Sequence, residues 1–176
     1  MKKIKMKKYE KRKIWISLIT SLLMIISVVA FSLNLRNTEE ESKNLRFKIG
    51  NSIVEVKMVY LENETTEVEK NYHPNLEDFI NKKFYFFVDA RLRDKAIRLL
   101  SFLNYFTILN EACFQNFECN NEQLPIKNCD DNFILFEHSE KEEIRKEEKC
   151  IFLKGNETTI DKVIDAFFYE MKNKKD

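Results

Sequence analysis

The longest uninterrupted apolar stretch of the chain covers residues 14–33, which contain no charged side chain. A helix rises about 1.5 Å per residue, so this stretch reaches about 30 Å, the thickness of the hydrocarbon core of a bilayer. We therefore predict a transmembrane helix over residues 14–35. It separates an amino-terminal arm, 1–13, from a polar linker, 36–44, and a long carboxyl-terminal domain, 45–176.

Within residues 45–176 the apolar spacing changes from one segment to the next. Alternating residues on both sides of Gly50 and Asn51 predict a hairpin, and the continuous apolar run 83–88 predicts a buried strand. Apolar residues recur at helical spacing over 90–103 and 159–172, which predicts two amphipathic helices. Further short strand patterns cover 105–109, 133–136, 142–147 and 150–153.

These elements define an expected fold class. About 140 residues follow the apolar stretch, enough for one domain with its own core. The order of strand 83–88, helix 90–103 and strand 105–109 is typical of a crossover unit. The whole pattern predicts an α+β domain of two layers, in which a mixed, mostly antiparallel sheet packs against two helices.

Charge flanking the apolar stretch predicts its orientation. The arm carries eight Lys and Arg residues and a single acid, Glu10, whereas Arg36 on the other side is followed by three glutamates. Basic residues next to a span stay in the cytoplasm. We expect a single-pass protein of the cell membrane with a cytoplasmic amino terminus. A cleaved signal peptide ending near Ala30 is the alternative, although signal peptides have shorter apolar cores.

The remaining charge indicates which partners to expect. Residues beyond the arm carry 22 basic and 28 acidic side chains, a net charge of −6. Binding to a phosphate backbone needs concentrated Lys and Arg, so we expect no nucleic-acid partner. The expected partners are the lipid bilayer and another envelope protein.

All four cysteines, Cys113, Cys119, Cys129 and Cys150, lie in the part that we place outside the membrane. Disulfides persist there, and four cysteines allow three connectivities. We favour Cys113–Cys119 and Cys129–Cys150, because the second pair would join strands expected to be close neighbours. Structural zinc is the alternative, but zinc sites and thioredoxin-type centres use a CxxC spacing that this chain lacks.

Other chemistry-bearing residues are few. The chain contains no GxSxG, GxGxxG, P-loop or HExxH motif, so we expect no catalytic residue, cofactor or metal site. His73 and His138 lie in polar segments and are interpreted as surface residues. Asn63 and Asn156 each begin an N-x-T sequon and are candidate glycosylation acceptors.

The carboxyl-terminal part resembles a known group of proteins. The segments ACFQNFEC from Ala112, LPIKNC from Leu124 and KCIFLKGNETTIDKVIDAFFYEM from Lys149 are similar to single-span membrane proteins of small-genome archaea. The resemblance covers about the last 60 residues. It implies an archaeal cell surface and a membrane anchor, and it brings no activity.

Taken together, these features predict a membrane-anchored extracytoplasmic protein. We expect a non-enzymatic binding or structural component of the cell envelope. The alternative is a membrane-tethered enzyme, either a hydrolase or a thiol oxidoreductase, whose site is assembled from scattered residues.

Overall fold

The computed structural model describes Met24 and residues 44–115, 117–119 and 121–173. The chain forms two compact units, 1–42 and 43–176. The predicted arm, the predicted transmembrane segment apart from Met24, and most of the predicted linker lie outside the described residues. Among the residues that are described, no helix is long and apolar enough to cross a membrane.

The described part of the second unit contains ten strands and two α-helices. The strands are β1 (Asn44–Ile49), β2 (Ser52–Lys57), β3 (Glu69–Lys70), β4 (Lys83–Val88), β5 (Ile108–Glu111), β6 (Cys113–Phe114), β7 (Ile126–Lys127), β8 (Phe133–His138), β9 (Glu143–Glu147) and β10 (Cys150–Gly155). The helices are α1 (Arg93–Leu103) and α2 (Ile160–Asn173). The predicted α+β class, with a mixed sheet and two helices, is confirmed.

Six strands form the main sheet in the order β3-β9-β10-β8-β4-β5. The β9–β10 pair is antiparallel, and the other four pairings are parallel. The prediction of a mostly antiparallel sheet is therefore wrong. The chain passes from β8 to β9 without pairing them, and a turn at Glu148 (φ 52°) then inserts β10 between the two. Strand patterns that are neighbours in sequence do not reveal such an insertion.

The central strands β8 and β10 are buried on both faces, and β4 is covered on both faces by side chains that are mostly half-buried. In β8, Ile134 and Phe136 face the core that contains the helices, while Phe133 and Leu135 belong to a second core on the opposite face. Parallel strands covered on both sides are continuous apolar runs rather than alternating ones. This arrangement explains why the segments KFYFFV, FILF and CIFL are uninterrupted.

One face of the sheet is covered by both helices, and the β1–β2 hairpin packs against them. Helix α1 buries Leu99 and Phe102, and α2 buries a longer apolar stripe. Phe47 of β1 contacts Phe102 and Phe168, with ring centroids 4.7 and 6.1 Å apart. The hairpin thus packs directly against both helices.

The opposite face is covered by the cysteine-containing segment, residues 113–131, which includes β6 and β7. Phe114 of this segment packs on Phe133 and Phe152, with centroids 5.0 and 6.2 Å apart. The expected two layers are therefore incomplete, because this irregular segment forms a further cover. Its irregular sequence carries no periodicity from which a layer could be predicted.

Candidate functional site

The carboxyl ends of four parallel strands lie side by side at one end of the main sheet. Asp89 follows β4, Ala112 follows β5, Ser139 follows β8 and Asn156 follows β10. Helix α1 begins just after β4, and α2 begins just after β10. In open sheets with parallel strands, ligands bind outside the carboxyl ends of the strands.

A cavity of about 710 Å³ opens at the ends of β4 and β5. Its walls come from three parts of the chain, residues 87–93, 111–112 and 117–124. The apolar lining residues are Phe87, Val88, Ala90, Ala112, Phe117 and Leu124. The charged ones are Asp89, Arg93, Glu111 and Glu118. The volume lies within the range of small-molecule pockets, and apolar walls with a few polar groups are typical of them.

Two ion pairs fix charged side chains at the cavity. Arg93 Nη2 lies 3.0 Å from Glu111 Oε1, which joins the start of α1 to the end of β5. Asp89 Oδ1 accepts hydrogen bonds from the backbone N–H and the Nε–H of Arg91, at 3.0 and 2.9 Å. These bonds, led by the side-chain contact, hold the pKa of Asp89 below its usual range. Asp89 is thus a carboxylate at neutral pH.

A disulfide closes the loop that forms one side of the cavity. Cys113 and Cys119 are bonded, with Cα atoms 5.6 Å apart, and Cys119 lines the cavity. Cys113 is buried, and its N–H donates to Pro125 O at 3.0 Å. Phe117, inside the loop, contacts the ring of Phe87 on β4 at 5.7 Å. The loop is therefore held at its base and at its apolar side chain.

The second disulfide joins the same segment to the sheet. Cys129 is bonded to Cys150 at the start of β10, with Cα atoms 5.0 Å apart. The pairs are those that the sequence favours, and no free cysteine occurs among the described residues. The segment that covers the second core is thus joined to the sheet near its carboxyl end by this disulfide, and its amino end follows β5 directly.

Both histidines contact carboxylates. His138, at the carboxyl edge of β8, lies 3.3 Å from Glu157, and its side chain is 19% exposed. The pKa of Glu157 is lowered, chiefly by a hydrogen bond from its own backbone N–H and further by His138. His73 lies 2.6 Å from Glu170 and is 59% exposed. The interpretation as a surface residue fits His73 better than His138.

The two sequon asparagines occupy different environments. Asn63 is exposed in the 3-10 helix Glu62–Thr65. Asn156 is half-buried before α2, where its Oδ1 accepts the N–H groups of Thr158 and Thr159 at 3.0 and 3.1 Å. Its Nδ2, the atom that glycosylation modifies, donates to Glu140 at 3.2 Å. Asn63 is consequently the more accessible acceptor.

Among the described residues, no three His, Cys, Asp or Glu side chains are placed to hold a metal ion. Comparison of the chain with protein-family models, curated proteins and solved structures finds no match. The fold and the site are those of an α+β domain with two disulfides and a cavity at the carboxyl ends of its parallel strands.

Sequence reasoning did not identify the cavity. Its lining residues come from three separate segments between Phe87 and Leu124, and no motif connects them. One observation pointed in this direction. The predicted buried strand 83–88 is followed directly by Asp89 and a predicted helix. When the strands of a sheet are parallel, polar residues at such a junction lie at the end of the sheet where ligands bind.

Proposed function

We propose that this chain is a single-pass protein of the cell membrane whose outer domain binds a group of another envelope component in the cavity at β4 and β5. The observation that carries the proposal is the cavity itself. It combines apolar walls with an ion pair, Arg93–Glu111, at the carboxyl ends of parallel strands, where ligands commonly bind. The apolar stretch 14–33 and the basic arm support the membrane anchor.

The chemistry of the lining favours binding over nucleophilic catalysis. The described lining residues contribute carboxylates, a guanidinium, an amide and a disulfide, and they include no hydroxyl, imidazole or free thiol. Nucleophilic catalysis by a hydroxyl, thiol or imidazole needs such a group beside a base. Two of the carboxylates, which could also attack, are held in ion pairs, Asp89 with Arg91 and Glu111 with Arg93. An inserted ligand instead finds apolar contact at Phe87, Phe117 and Leu124. A charged ligand group competes with one partner of the Arg93–Glu111 pair.

The binding proposal is tested by narrowing the cavity. Ala90 is an exposed lining residue, so Ala90→Trp places a large side chain at the cavity without opening the core. Ser101→Trp, on the exposed surface of α1 and outside the lining, is the matched control. A panel of amino acids, monosaccharides and glycerol phosphates is screened by ligand-observed NMR. We expect a compound that binds the parent and Ser101→Trp but binds Ala90→Trp at least tenfold more weakly.

Two results would contradict the binding proposal. One is a panel in which no compound binds the parent protein. The other is a compound that binds Ala90→Trp as well as it binds Ser101→Trp, because that compound uses another surface.

The membrane topology is tested separately with the native cysteines. Protein is taken from membranes in the presence of an alkylating reagent, and the intact mass counts the modified thiols. We expect none, because an oxidising outer compartment keeps both disulfides closed. Four modified thiols would place the domain in the cytoplasm and overturn the topology.

A further inference from the structure

Strand β5 is the free edge of the main sheet among the residues that the structure describes. It pairs with β4 on one side and with no described strand on the other. Unpaired edges present a row of N–H and C=O groups that other chains can bind. The edge at β3 is only two residues long, whereas β5 spans four residues.

The groups that point outward from β5 belong to Leu109 and Glu111. Ile108 N donates to Lys82 O and Ala112 N donates to Phe86 O, each at 3.0 Å, so these residues face β4. Successive residues of a strand point their backbone groups to opposite sides, and Leu109 and Glu111 therefore face away from β4. The two residues offer four hydrogen-bonding groups.

Exposed apolar side chains flank this edge. Ile108 in β5 is 61% exposed, Tyr105 just before it is 72% exposed, and Ile97 in α1 is 55% exposed. Arg93 contacts Glu111 of β5, and Ile97 lies one turn further along α1 near the same flank of the helix. A second chain that pairs with β5 would remove these apolar side chains from water, which favours the pairing.

An amide side chain of the same strand is buried without a partner. Asn110 Nδ2 is inaccessible to solvent and finds no hydrogen-bond partner among the described residues. A buried polar atom in this state costs free energy, about 1–3 kcal/mol. An amide carries both donors and an acceptor, so two copies of Asn110 satisfy each other once both side chains turn outward to the facing strand.

Charge is distributed unevenly along the edge. Its amino end has Lys83, paired in register with Ile108, and Lys82 beside it. Its carboxyl end has Glu118 and Glu111, and Glu111 is already paired with Arg93. If two such edges run antiparallel, the basic end of each copy faces the acidic end of the other. The surface is therefore complementary to itself.

We propose that β5 pairs antiparallel with β5 of a second copy of this chain and joins the two main sheets across a two-fold axis at Asn110. The neighbouring backbone groups restrict the register, because Thr107 N already donates to Leu103 O and Cys113 N donates to Pro125 O. Facing Leu109 with Glu111 of the second copy forms four backbone hydrogen bonds. Asn110 then faces its own copy in a pair without backbone hydrogen bonds, where Cα atoms lie about 4.5 Å apart.

The proposal is tested by cross-linking the full chain in its membrane. A Cα separation of about 4.5 Å permits a disulfide, so mild oxidation of Asn110→Cys gives a species at twice the 21.2 kDa chain mass that a reductant removes. Ile53→Cys, 71% exposed on the β1–β2 hairpin, is the matched control and stays monomeric. Equal cross-linking at both positions, or none at Asn110→Cys, overturns the proposal.

A second variant tests the surface beside the axis. Adding Ile108→Lys to Asn110→Cys puts a charge in the covered region, and we expect at least a tenfold lower yield of the cross-linked species. Ile53→Lys adds the same charge on the hairpin and leaves the yield unchanged. A yield that Ile108→Lys does not lower contradicts the pairing.

Hydrogen exchange of the unmodified full chain keeps the proposal testable if a cysteine variant fails to fold. In the dimer, the amides of Leu109 and Glu111 are protected, and we expect at least tenfold faster exchange on dilution to monomer. Amides that exchange quickly at every concentration overturn the proposal. Protection that does not depend on concentration also overturns it, because a segment of the same chain then covers β5.

Discussion

Asp165 holds the chain that leaves the β1–β2 hairpin against α2. Its side chain is fully buried in α2, and its Oδ2 accepts the N–H groups of Val59 and Tyr60 at 2.8 and 2.7 Å. Oδ1 lies 2.5 Å from Arg98 Nη1. Burial raises the pKa of Asp165, and the two backbone N–H groups together with Arg98 act against this rise. One carboxylate thus links α2, α1 and the chain that leaves β2.

We predict that Asp165→Asn lowers the free energy of unfolding by about 3 kcal/mol, because it removes the charge that compensates the guanidinium of Arg98. Asp161→Asn is the control. Asp161 lies on the same helix and also contacts Arg98, but it is 13% exposed, and we expect it to cost about 1 kcal/mol. Urea unfolding of residues 36–176 measures both variants. Equal losses of free energy in the two variants would show that burial does not increase the contribution of Asp165 to stability.

The hydroxyl of Tyr72 contributes to the stability of the domain, and this contribution is lost at alkaline pH. Its hydroxyl donates to Asp78 Oδ2 at 3.1 Å, and burial, followed by the charge of Asp78, raises the pKa of Tyr72 above its ordinary value near 10. A group whose folded pKa is raised stabilises the fold in full below the unfolded pKa. This contribution is lost as the pH rises through the folded pKa.

We therefore predict that Tyr72→Phe costs about 1 kcal/mol at pH 8, where it removes one hydrogen bond, and that this difference from the parent shrinks at pH 11. Free energies of unfolding at the two pH values measure the effect. Tyr105→Phe, at an exposed tyrosine, is the control and shows no such change. If the difference in free energy of unfolding between Tyr72→Phe and the parent grows with pH, the pKa of Tyr72 is not raised in the folded state.

At the scale of elements, the sequence predicts local structure better than pairing. The strand at 83–88 and helix α2 lie within one residue of their predicted places, and the hairpin turns at Gly50 as predicted. Its second strand ends at Lys57, although the apolar pattern continues to Leu61. Each of these depends on its own side chains, such as the apolar stripe of α2. Strand pairing depends on which strands meet in space, and for that reason the mostly antiparallel sheet was wrong. The uninterrupted apolar runs of β4, β8 and β10 were evidence for parallel strands covered on both faces.

The junction between β10 and α2 requires a glycine for space. A Cβ on Gly155 would lie 3.1 Å from both Ile160 Cα and Thr159 Oγ1, and the first of these is backbone that cannot move away easily. We predict that Gly155→Ala lowers the free energy of unfolding by about 2 kcal/mol through overpacking.

Gly50→Ala is the informative comparison for Gly155→Ala. Gly50 has open space around it and a φ of +59°, so its substitution strains only the backbone, by about 1 kcal/mol. Thermal unfolding of the two variants ranks the effects. A larger loss for Gly50→Ala would show that α2 shifts to accommodate the new methyl group.

At the scale of the whole molecule, the cavity was beyond prediction from the sequence. Phe87, Glu111 and Leu124 come together only because β4 and β5 are parallel neighbours and because the segment after β5 folds back over them. The disulfides were easier to predict, since four cysteines allow only three pairings. A site that depends on tertiary folding needs the correct sheet order, which the sequence pattern did not supply.

The two disulfides have different effects on the whole molecule. Cys129–Cys150 spans 21 residues and joins the cysteine-containing segment to the centre of the sheet, whereas Cys113–Cys119 spans six residues and holds the side of the cavity. Closing a longer loop restricts the unfolded chain more strongly. We predict that replacing Cys129 and Cys150 with alanine lowers the free energy of unfolding by about 3 kcal/mol, and that the other pair costs about 2 kcal/mol.

Hydrogen exchange distinguishes these roles better than the total stability does. Without Cys113–Cys119, we expect faster exchange confined to the loop, at the amides of Gln115 and Phe117, which donate to Lys127 O and Phe114 O. Without Cys129–Cys150, exchange also becomes faster in β8 and β10, because the bond ends at the start of β10. If removal of Cys113–Cys119 loosens β8 and β10 as well, the loop is part of the cooperative core. A ligand could then not move the loop without unfolding the domain. The cavity would have to bind its ligand without a change in the conformation of the loop.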